Sequence, residues 1–204
     1  MLENTIDFEG SVRLLGEWIE KSQNSFLSIR KKNQRIDMKS ENQVGYLREG
    51  ALSVYRIDND IVTLNIEAPA IIGLHQLFHT QRSHYLRCDR YCELIVINEA
   101  DLIAILDREM LWGHAFIILS RHLEMYFQRE RRLVHKNIKG IVIEHLKHLW
   151  DQSEDIRSRT SVYSFILSRN QISRSSVHKT IKSLIDDGVI KIQRGKLLWM
   201  NNID

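Results

Sequence analysis

The sequence predicts an α+β fold with an antiparallel β-barrel at the amino end, a long helix, and a carboxyl-terminal module of helices that closes on a β-hairpin. Short apolar runs separated by turn-forming residues recur from Phe26 to Ile97, which is typical of antiparallel sandwiches and barrels. Helical periodicity then dominates until Gly188, after which two short apolar runs flank the basic turn Arg194–Lys196. We therefore expect a β-domain over residues 1–106, the long helix over 107–136 and the carboxyl-terminal module over 137–204.

The amino-terminal region combines one helix with a series of strands. Apolar residues between Val12 and Ile19 recur at helical spacing, which predicts a short amphipathic helix. The residues from Pro69 to Phe78 break the alternation of the strands, and we expect a short helix there. The predicted strands contain the apolar runs Phe26–Ile29, Val44–Leu47, Leu52–Tyr55, Ile61–Ile66, Tyr85–Leu86 and Leu94–Ile97.

Helical spacing from Asn98 to His135 predicts a short helix followed by a long one that carries two adjacent apolar stripes. Two apolar faces need two surfaces to cover them, so we expect one stripe to pack on the β-domain and the other on a second subunit. Burial of the whole helix within one subunit is the alternative. The stripe assigned to the dimer contains Leu111, Ala115, Ile118, His122 and Met125. The second stripe contains Trp112, Phe116, Leu119, Leu123 and Tyr126, and which of the two faces the partner stays open.

The carboxyl-terminal module begins with an amphipathic helix over residues 137–150 and a charged loop over 151–159. A second amphipathic helix is expected after Ser173, whose hydroxyl can cap it, and Gly188 can close it in the left-handed conformation. Its apolar stripe contains Val177, Ile181, Leu184 and Ile185. Its opposite face contains Arg174, Ser175, His178, Lys179 and Lys182.

Charge is concentrated in this module. Residues 157–200 hold nine Lys or Arg and two acidic residues, a net charge of +7, whereas the whole chain carries +3. A basic module on an acidic body is typical of DNA-binding proteins, and a helix of this size can enter the major groove. The pattern is a winged helix-turn-helix. The alternatives are a helix with a solvated basic face in an effector- or protein-interaction module, and RNA binding through the same face.

Composition limits the other classes of function. No segment approaches the roughly 20 apolar residues that span a bilayer, and the first ten residues lack a signal core, so we expect a cytoplasmic protein without a membrane partner. There is no glycine-rich phosphate loop and no hydrolase or zinc-protease motif. We therefore expect no enzymatic activity, no catalytic residues and no cofactor.

The order of these elements resembles the cyclic-AMP receptor protein/fumarate–nitrate reductase regulator (CRP/FNR) superfamily. The recognition-helix pattern of that superfamily, Ser-Arg-x-x-Val-x-[Arg/Lys]-x-[Leu/Ile]-x-x-Leu, is shared with many bacterial regulators, and the domain order makes the resemblance more specific. Within the superfamily the chain looks like the divergent branch called inhibitor of hydrogen peroxide resistance. The pattern is matched by Ser173, Arg174, Val177, Lys179, Ile181 and Leu184.

The resemblance implies a homodimeric transcription factor that binds double-stranded DNA, with a link to oxidative stress and RNA polymerase as a further candidate partner. It implies that Arg174, Ser175 and Lys179 contact base edges. It does not decide whether His178 faces the groove or solvent. The expected phosphate contacts are Arg169, Ser173, Ser176, Lys182, Arg194 and Lys196. Gln171 stands where the family pattern has glycine, and Leu167 stands where it has a small residue. The orientation of the first helix of the helix-turn-helix can therefore differ from that in the family.

The resemblance also implies a cyclic-nucleotide-binding-like β-barrel, but the ligand pocket is degenerate. Its turn reads Gly73-Leu74-His75, and leucine cannot accept a hydrogen bond from a ribose hydroxyl. The dipeptide Arg82-Ser83 is the candidate for the phosphate-binding pair. We expect no response to cyclic AMP, and any other small-molecule effector is unknown.

Histidines and cysteines suggest two further kinds of site. His75, His79 and His84 lie near one another in the sequence, but no paired ligand spacing is present, and we favour scattered surface histidines over a metal site. Cys88 and Cys92 are candidate redox residues because the neighbouring arginines could lower a thiol pKa. Two small apolar residues in a sheet are the alternative, which we favour.

Overall fold

The computed structural model describes residues 7–133 and 137–201, and the chain divides into two compact units, Met1–Tyr126 and Phe127–Asp204. The predicted helical region ended at His135, which lies outside the described residues. Among the helices of the described residues, none combines the length and the hydrophobicity that crossing a membrane requires.

The amino-terminal unit opens with helix α1 (Phe8–Lys21), which Asp7 caps by accepting a hydrogen bond from the Gly10 amide. A single turn of 3₁₀ helix, Leu74–Gln76, partly confirms the predicted break after Pro69. The strands that follow α1 are β1 (Phe26–Arg30), β2 (Arg35–Ile36), β3 (Gln43–Glu49), β4 (Ala51–Arg56), β5 (Val62–Glu67), β6 (Ala70–Ile72), β7 (His84–Cys88) and β8 (Cys92–Asn98).

The strands form two four-stranded antiparallel sheets with the orders β1-β8-β3-β6 and β2-β7-β4-β5. This is the double-sheet jelly-roll order, so the expected β-domain is present but its sheets are not one closed barrel. Every predicted strand is confirmed. Two strands were missed, β2 and β6, because two or three residues are too short to show an alternation.

Two apolar clusters hold the amino-terminal unit together. The first lies between the sheets and includes the fully buried Leu47 and Leu52. The second includes Ile97 of β8 together with Val12 and Ile19 of α1, which confirms the predicted amphipathic helix. It also receives residues from α2 (Glu99–Arg108) and from the beginning of α3 (Trp112–Leu133).

The two stripes of α3 differ in burial, although Leu119 and Tyr126 of the second stripe are half-buried against the clusters of their own unit. Leu111, Ala115 and Ile118 are buried in the second cluster of their own unit, so their assignment to a dimer face is wrong. In the other stripe, Phe116 is 70% exposed and Leu123 is 53% exposed. The sequence showed two apolar stripes, but only the packing of α3 on the jelly-roll decides which one is covered.

The carboxyl-terminal unit contains four described helices and a hairpin after α3. The segment 151–159 was expected to be a loop, but most of it forms a short helix, α5 (Glu154–Arg159). Arg194 and Gly195 form the two-residue turn of the hairpin, with positive φ angles of 49° and 76°. Positive φ at both turn residues matches the twist of the flanking strands. The elements are α4 (Ile138–Trp150), α5 (Glu154–Arg159), α6 (Val162–Leu167), α7 (Arg174–Asp186), β9 (Ile190–Gln193) and β10 (Lys196–Met200).

Candidate nucleic-acid interface

Helix α7 is fixed by one apolar cluster that it shares with α4, α6 and the hairpin. Val177, Ile181 and Leu184 are at most 1% exposed in this cluster, as the helical spacing predicted. Ile185 was placed in the same stripe but is 41% exposed, because it lies at the margin of the buried face. The opposite face of α7 is therefore held toward solvent by a rigid core.

The first turn of α7 confirms the predicted cap. The Ser173 hydroxyl accepts a hydrogen bond from the Ser176 amide at 3.1 Å. The same hydroxyl lies 2.8 Å from Ser176 Oγ and 3.0 Å from Ser175 Oγ, so these three hydroxyls form one cluster at the helix start. A capped, positively polarised helix start suits contact with a phosphate group.

Three cations stand on the exposed face of α7. Arg174, Lys179 and Lys182 are all exposed. Within the described residues, none of the three forms an ion pair or a hydrogen bond with the rest of the chain. We call these three residues the basic face. Unpaired cations on a rigid helix are available to phosphates and to guanine edges.

His178 is held by a ring contact rather than left free. Its imidazole stacks on the Tyr163 ring with centroids 4.1 Å apart and an interplanar angle of 19°. Tyr163 belongs to α6, so the stack joins the two helices of the helix-turn-helix. His178 remains exposed, and its orientation is set by Tyr163.

Two of the residues expected to contact phosphates are engaged within the module. Arg169 donates hydrogen bonds to the Phe165 carbonyl at 3.1 Å and to Ser168 Oγ at 3.2 Å, and its guanidinium lies 3.7 Å from the Phe165 ring centroid. Lys196 donates to the Arg159 carbonyl at 2.6 Å. Arg194 is exposed at the tip of the hairpin. Of these three residues, only Arg194 is exposed without a hydrogen bond or ion pair in the described residues, because Arg169 and Lys196 are bonded within the module.

One residue of this unit was missed by sequence reasoning. His145 of α4 is 5% exposed, and its Nε2 lies 2.6 Å from Asn170 Nδ2 in the turn before α7. Burial lowers the pKa of His145 to about 4, and the nearby Arg169 acts in the same direction. Its Nδ1 is buried without a hydrogen-bond partner in the described structure. The apolar run around His145 gave no sign of this contact, because Asn170 is 25 residues away.

In the amino-terminal unit, the residues of the expected degenerate ligand pocket do not come together. Gly73, with φ of +94°, lines a cavity of about 390 Å³, but Leu74 is buried in the second cluster. Arg82 pairs with Asp37 and lines a different cavity of about 370 Å³. Ser83 lies 2.8 Å from His84 Nδ1. The prediction of one pocket built from all four residues is therefore wrong, because β7 and the loop before it carry Arg82 away from Gly73.

The cysteines lie in the apolar environment of the sheet core and not in the environment that the redox hypothesis requires. Cys88 and Cys92 are both fully buried, and the Cys92 thiol donates to the Ala51 carbonyl at 3.3 Å. Burial, followed by the nearby Cys92, raises the pKa of Cys88 to about 12. Arg90 donates instead to the Gly50 carbonyl at 3.3 Å. The hypothesis of a lowered thiol pKa is wrong, and the pair packs as small apolar residues of the sheet core, the alternative favoured from the sequence.

Comparison with known proteins agrees with these features. Residues 140–204 match the family described as winged helix-turn-helix DNA binding. The protein named inhibitor of hydrogen peroxide resistance in Escherichia coli is 28% identical over 156 residues, which cover 76% of this chain and 75% of the relative. Its counterpart in Salmonella typhimurium is 26% identical over the same coverage.

Solved structures share the fold at lower sequence identity. The c-di-GMP-responsive global regulator CLP of Xanthomonas campestris is 16% identical with a TM-score of 0.75, over 95% of this chain and 100% of its own. A putative transcriptional regulator of the CRP/FNR family from Eubacterium rectale is 12% identical with a TM-score of 0.68, over 94% and 90%. The chain therefore has the fold of the CRP/FNR regulators, as its sequence predicted, and its carboxyl-terminal part matches the winged helix-turn-helix DNA-binding family.

Proposed function

We propose that the protein is a sequence-specific DNA-binding transcriptional regulator that acts as a homodimer, with its jelly-roll unit as the regulatory domain. The observation that carries this proposal is the basic face of α7. Arg174, Lys179 and Lys182 are exposed and unpaired within the described residues, on a helix whose other side is buried in a winged helix-turn-helix core. Such a helix reads base edges in the major groove.

The residues of α7 divide into two roles. Arg174 lies at the first helical position, where a bidentate pair with guanine O6 and N7 would contribute about 1–3 kcal/mol of discrimination. Ser175 and Lys179 follow on the same face and would reach neighbouring bases. Lys182 and Arg194, with the capped helix start at Ser173, suit phosphate contacts that position the helix without reading sequence.

The exposed apolar residues of the second α3 stripe support the proposed homodimer. Trp112, Phe116, Leu119 and Leu123 recur at the spacing of a two-helix seam, and three of the four are exposed by 37%, 70% and 53%. Exposed apolar residues in this pattern favour a second copy of the same helix as their cover. A two-fold symmetric dimer would require operator half-sites roughly 34 Å apart.

The relatives give the proposal its physiological setting. Two of them carry the name inhibitor of hydrogen peroxide resistance, so we place the target genes of this chain in the response to oxidative stress. Cyclic AMP is not the effector in this proposal, because Leu74 replaces the expected carboxylate and Arg82 is paired with Asp37. RNA polymerase is retained as a candidate partner at the promoter.

Selection of operators from random duplex DNA tests the proposal. We expect recovery of a two-fold symmetric site whose affinity falls steeply as salt is raised, and cyclic AMP should not change that affinity. Phe116→Ser should shift the protein toward monomer in sedimentation and lower operator affinity, whereas Ile57→Ser, also at an exposed apolar residue, should do neither. Recovery of no preferred duplex, or equal affinity for unrelated RNA, would contradict the proposal.

A further inference from the structure

The sheet β2-β7-β4-β5 carries two arginines next to each other on its outer face. Its inward side chains, among them Leu52, Leu86 and Cys88, belong to the cluster between the sheets. Because side chains alternate along a strand, the residues between them point to the opposite face. Arg35 of β2 and Arg87 of β7 lie directly opposite each other in the register of these strands. We call these two residues the arginine pair.

The arginine pair lacks a compensating charge. Like charges directly opposite each other on neighbouring strands destabilise a sheet. Within the described residues, neither Arg35 nor Arg87 forms an ion pair with a carboxylate. Other arginines of the same unit do form such ion pairs, namely Arg48, Arg56, Arg82 and Arg108.

Two carboxylates on the same side of the sheet are bonded to hydroxyl groups instead. Asp60 accepts a hydrogen bond from the Tyr85 hydroxyl at 2.8 Å. Asp89 accepts from the Ser53 hydroxyl at 2.8 Å. Neither carboxylate is ion-paired with the arginine pair in the part of the chain that the structure describes. The two guanidinium groups therefore keep their charges for a ligand.

Two tyrosine rings orient the arginine pair. Tyr55 and Tyr85 are opposite each other in the register of β4 and β7, and their rings stack with centroids 5.1 Å apart and an interplanar angle of 8°. Arg35 Cζ lies 3.7 Å from the centre of the Tyr85 ring, and Arg87 Cζ lies 4.8 Å from the centre of the Tyr55 ring. A guanidinium that stacks on a ring is held in place while the N–H groups at its edge stay available.

Both guanidinium groups are within reach of one small ligand. Arg87 Cζ also lies 5.9 Å from the centre of the Tyr85 ring, the ring that Arg35 covers. The hydrogen bond from Arg87 to the Tyr85 hydroxyl is long, at 3.5 Å, and occupies a single N–H group. Tyr85 itself is 3% exposed, so the ring between the two cations is a fixed part of the sheet.

We propose that the arginine pair binds a phosphate dianion, either free or as the monoester of a small molecule. A guanidinium group binds two oxygens of an anion through parallel N–H donors. A carboxylate has only two oxygens, so a single guanidinium uses both. A phosphate monoester has three terminal oxygens and close to two negative charges, which match two guanidinium groups.

This ligand differs from the one that suits the basic face of α7. A phosphodiester of the DNA backbone carries one charge and two free oxygens, so it satisfies only half of the arginine pair. The proposed phosphate site does not rest on the proposed function, because all of its residues belong to the jelly-roll.

A bound phosphate would also strengthen the edge of the sheet. Strand β2 is an edge strand that pairs with β7 at only two positions, Arg35 and Ile36. A dianion between the guanidinium groups would replace repulsion between these strands by attraction to a shared ligand. Phosphate should therefore raise the unfolding temperature of the chain more than chloride does at equal ionic strength.

NMR titration of the full chain at constant ionic strength and about pH 8, where phosphates are dianions, tests the binding. The probes are inorganic phosphate, methyl phosphate and acetate, and the ring signals of Tyr55 and Tyr85 report on this site. We expect saturable binding of inorganic phosphate at least tenfold tighter than that of acetate. Equal binding of methyl phosphate would support a monoester as the source, and its failure to bind would support free phosphate. Acetate binding as tightly as phosphate, or ring signals that no phosphate moves, would overturn the proposal.

Variants locate the site. Arg35→Gln and Arg87→Gln should each weaken phosphate about tenfold, because each removes one charged pair of donors. Arg13→Gln, at an exposed arginine of α1, should leave phosphate affinity unchanged. If a glutamine variant fails to fold, Arg35→Lys still decides, since it keeps the charge but loses the planar fork and should weaken phosphate severalfold. Unchanged affinity in the variants that fold would contradict the assigned contacts.

The basic face of α7 also suits phosphate groups, so the titration is repeated in Arg174→Ala/Lys179→Ala. We expect the ring signals of Tyr55 and Tyr85 to respond to phosphate as in the wild type. Short duplex DNA that moves these signals as strongly as phosphate would assign the site to a nucleic-acid backbone and overturn the proposal. A chain that binds phosphate here but binds no operator would contradict the proposed function and leave the phosphate site standing.

Discussion

The basic face of α7 and the cavity of about 390 Å³ in the jelly-roll unit differ in charge: the first presents cations to solvent, and the second is lined by uncharged residues. Arg174 and Lys179 lie on an exposed surface without a hydrogen bond or ion pair in the described residues, where water solvates them until a phosphate or a base replaces it. The cavity is lined by uncharged groups, and desolvation keeps His75 and His122 neutral. The exposed cations of α7 therefore suit a polyanion, whereas the lining of the cavity offers no charged side chain to one.

The two regions also differ in how their polar groups are held in place. On α7 the apolar stripe below the basic face fixes the helix that carries the cations, and the cations form no hydrogen bond or ion pair within the described residues. In the cavity a chain of hydrogen bonds through Tyr126, His84 and Ser83 fixes the polar groups directly. Each of the following changes acts on one of these arrangements.

The largest effect is expected from the core below the basic face. Ile181→Ala should lower the free energy of unfolding by about 2–5 kcal/mol, because the isoleucine is fully buried and a cavity would remain. Ile185→Ala on the same helix should cost under about 1 kcal/mol, since that residue is 41% exposed. Urea denaturation measured by circular dichroism compares the two. Equal losses would mean that the stripe does not support the basic face.

The next effect depends on pH and concerns His145. Its pKa is lowered to about 4, below the value near 6.5 of an unfolded chain, so the unfolded state binds the proton first as the pH falls. Its contribution to stability is complete above pH 6.5 and is lost as the pH falls toward about 4, by on the order of 3 kcal/mol.

His145→Gln is the matched variant, because its amide can still pair with Asn170 but does not titrate. The difference in unfolding free energy between wild type and variant should change with pH only below about 6.5. A difference that is constant from pH 7.5 to pH 4.5 would show that His145 is not held neutral, in contrast to the imidazoles of the cavity.

A smaller effect is expected from the hydrogen-bond chain of the cavity. Tyr126→Phe removes the acceptor of His84 Nε2 and should lower the unfolding free energy by about 1–2 kcal/mol. It should also lower the pKa of His84 further, measured by NMR titration, because the Nε2 proton is present in both forms and the charged imidazolium loses the stronger hydrogen bond. An unchanged pKa of His84 would contradict a hydrogen bond from His84 Nε2 to the Tyr126 hydroxyl.

The smallest effect is expected at the edge of the basic face. Lys182→Ala should weaken binding to all duplexes alike and reduce the slope of log affinity against log salt by about 1. Lys31→Ala, an exposed lysine of the amino-terminal unit, is the control with the same loss of charge. A change of operator preference in Lys182→Ala would mean that this lysine reads bases rather than phosphates.

The contrast between the regions also explains how much could be predicted from sequence. The cap at Ser173 and the stripe of Val177 and Leu184 were predicted because they depend on neighbours within one helix. The hairpin turn at Arg194 and Gly195 is equally local. Local chemistry was enough to find the basic face, although the stack of His178 on Tyr163 was not foreseen.

The cavity was not predictable, because its residues are brought together only by the fold. His84 and Tyr126 are 42 residues apart, and nothing in the sequence pairs them. The helical spacing placed His122 in a dimer stripe, and no pattern in the sequence indicated a role for Gln76, although both residues line the cavity. The sheet order of the jelly-roll decides both which stripe of α3 is covered and which polar groups line the cavity, and neither follows from periodicity alone.

The central claim is that the basic face of α7 contacts paired bases. Its most direct test is the operator affinity of Arg174→Ala/Lys179→Ala at fixed salt, with Lys31→Ala as the control. We expect the double variant to lose about a hundredfold in affinity and most of its preference for the selected site, and the control to keep both. A double variant that folds normally and binds the same site as tightly as the wild type would contradict the account.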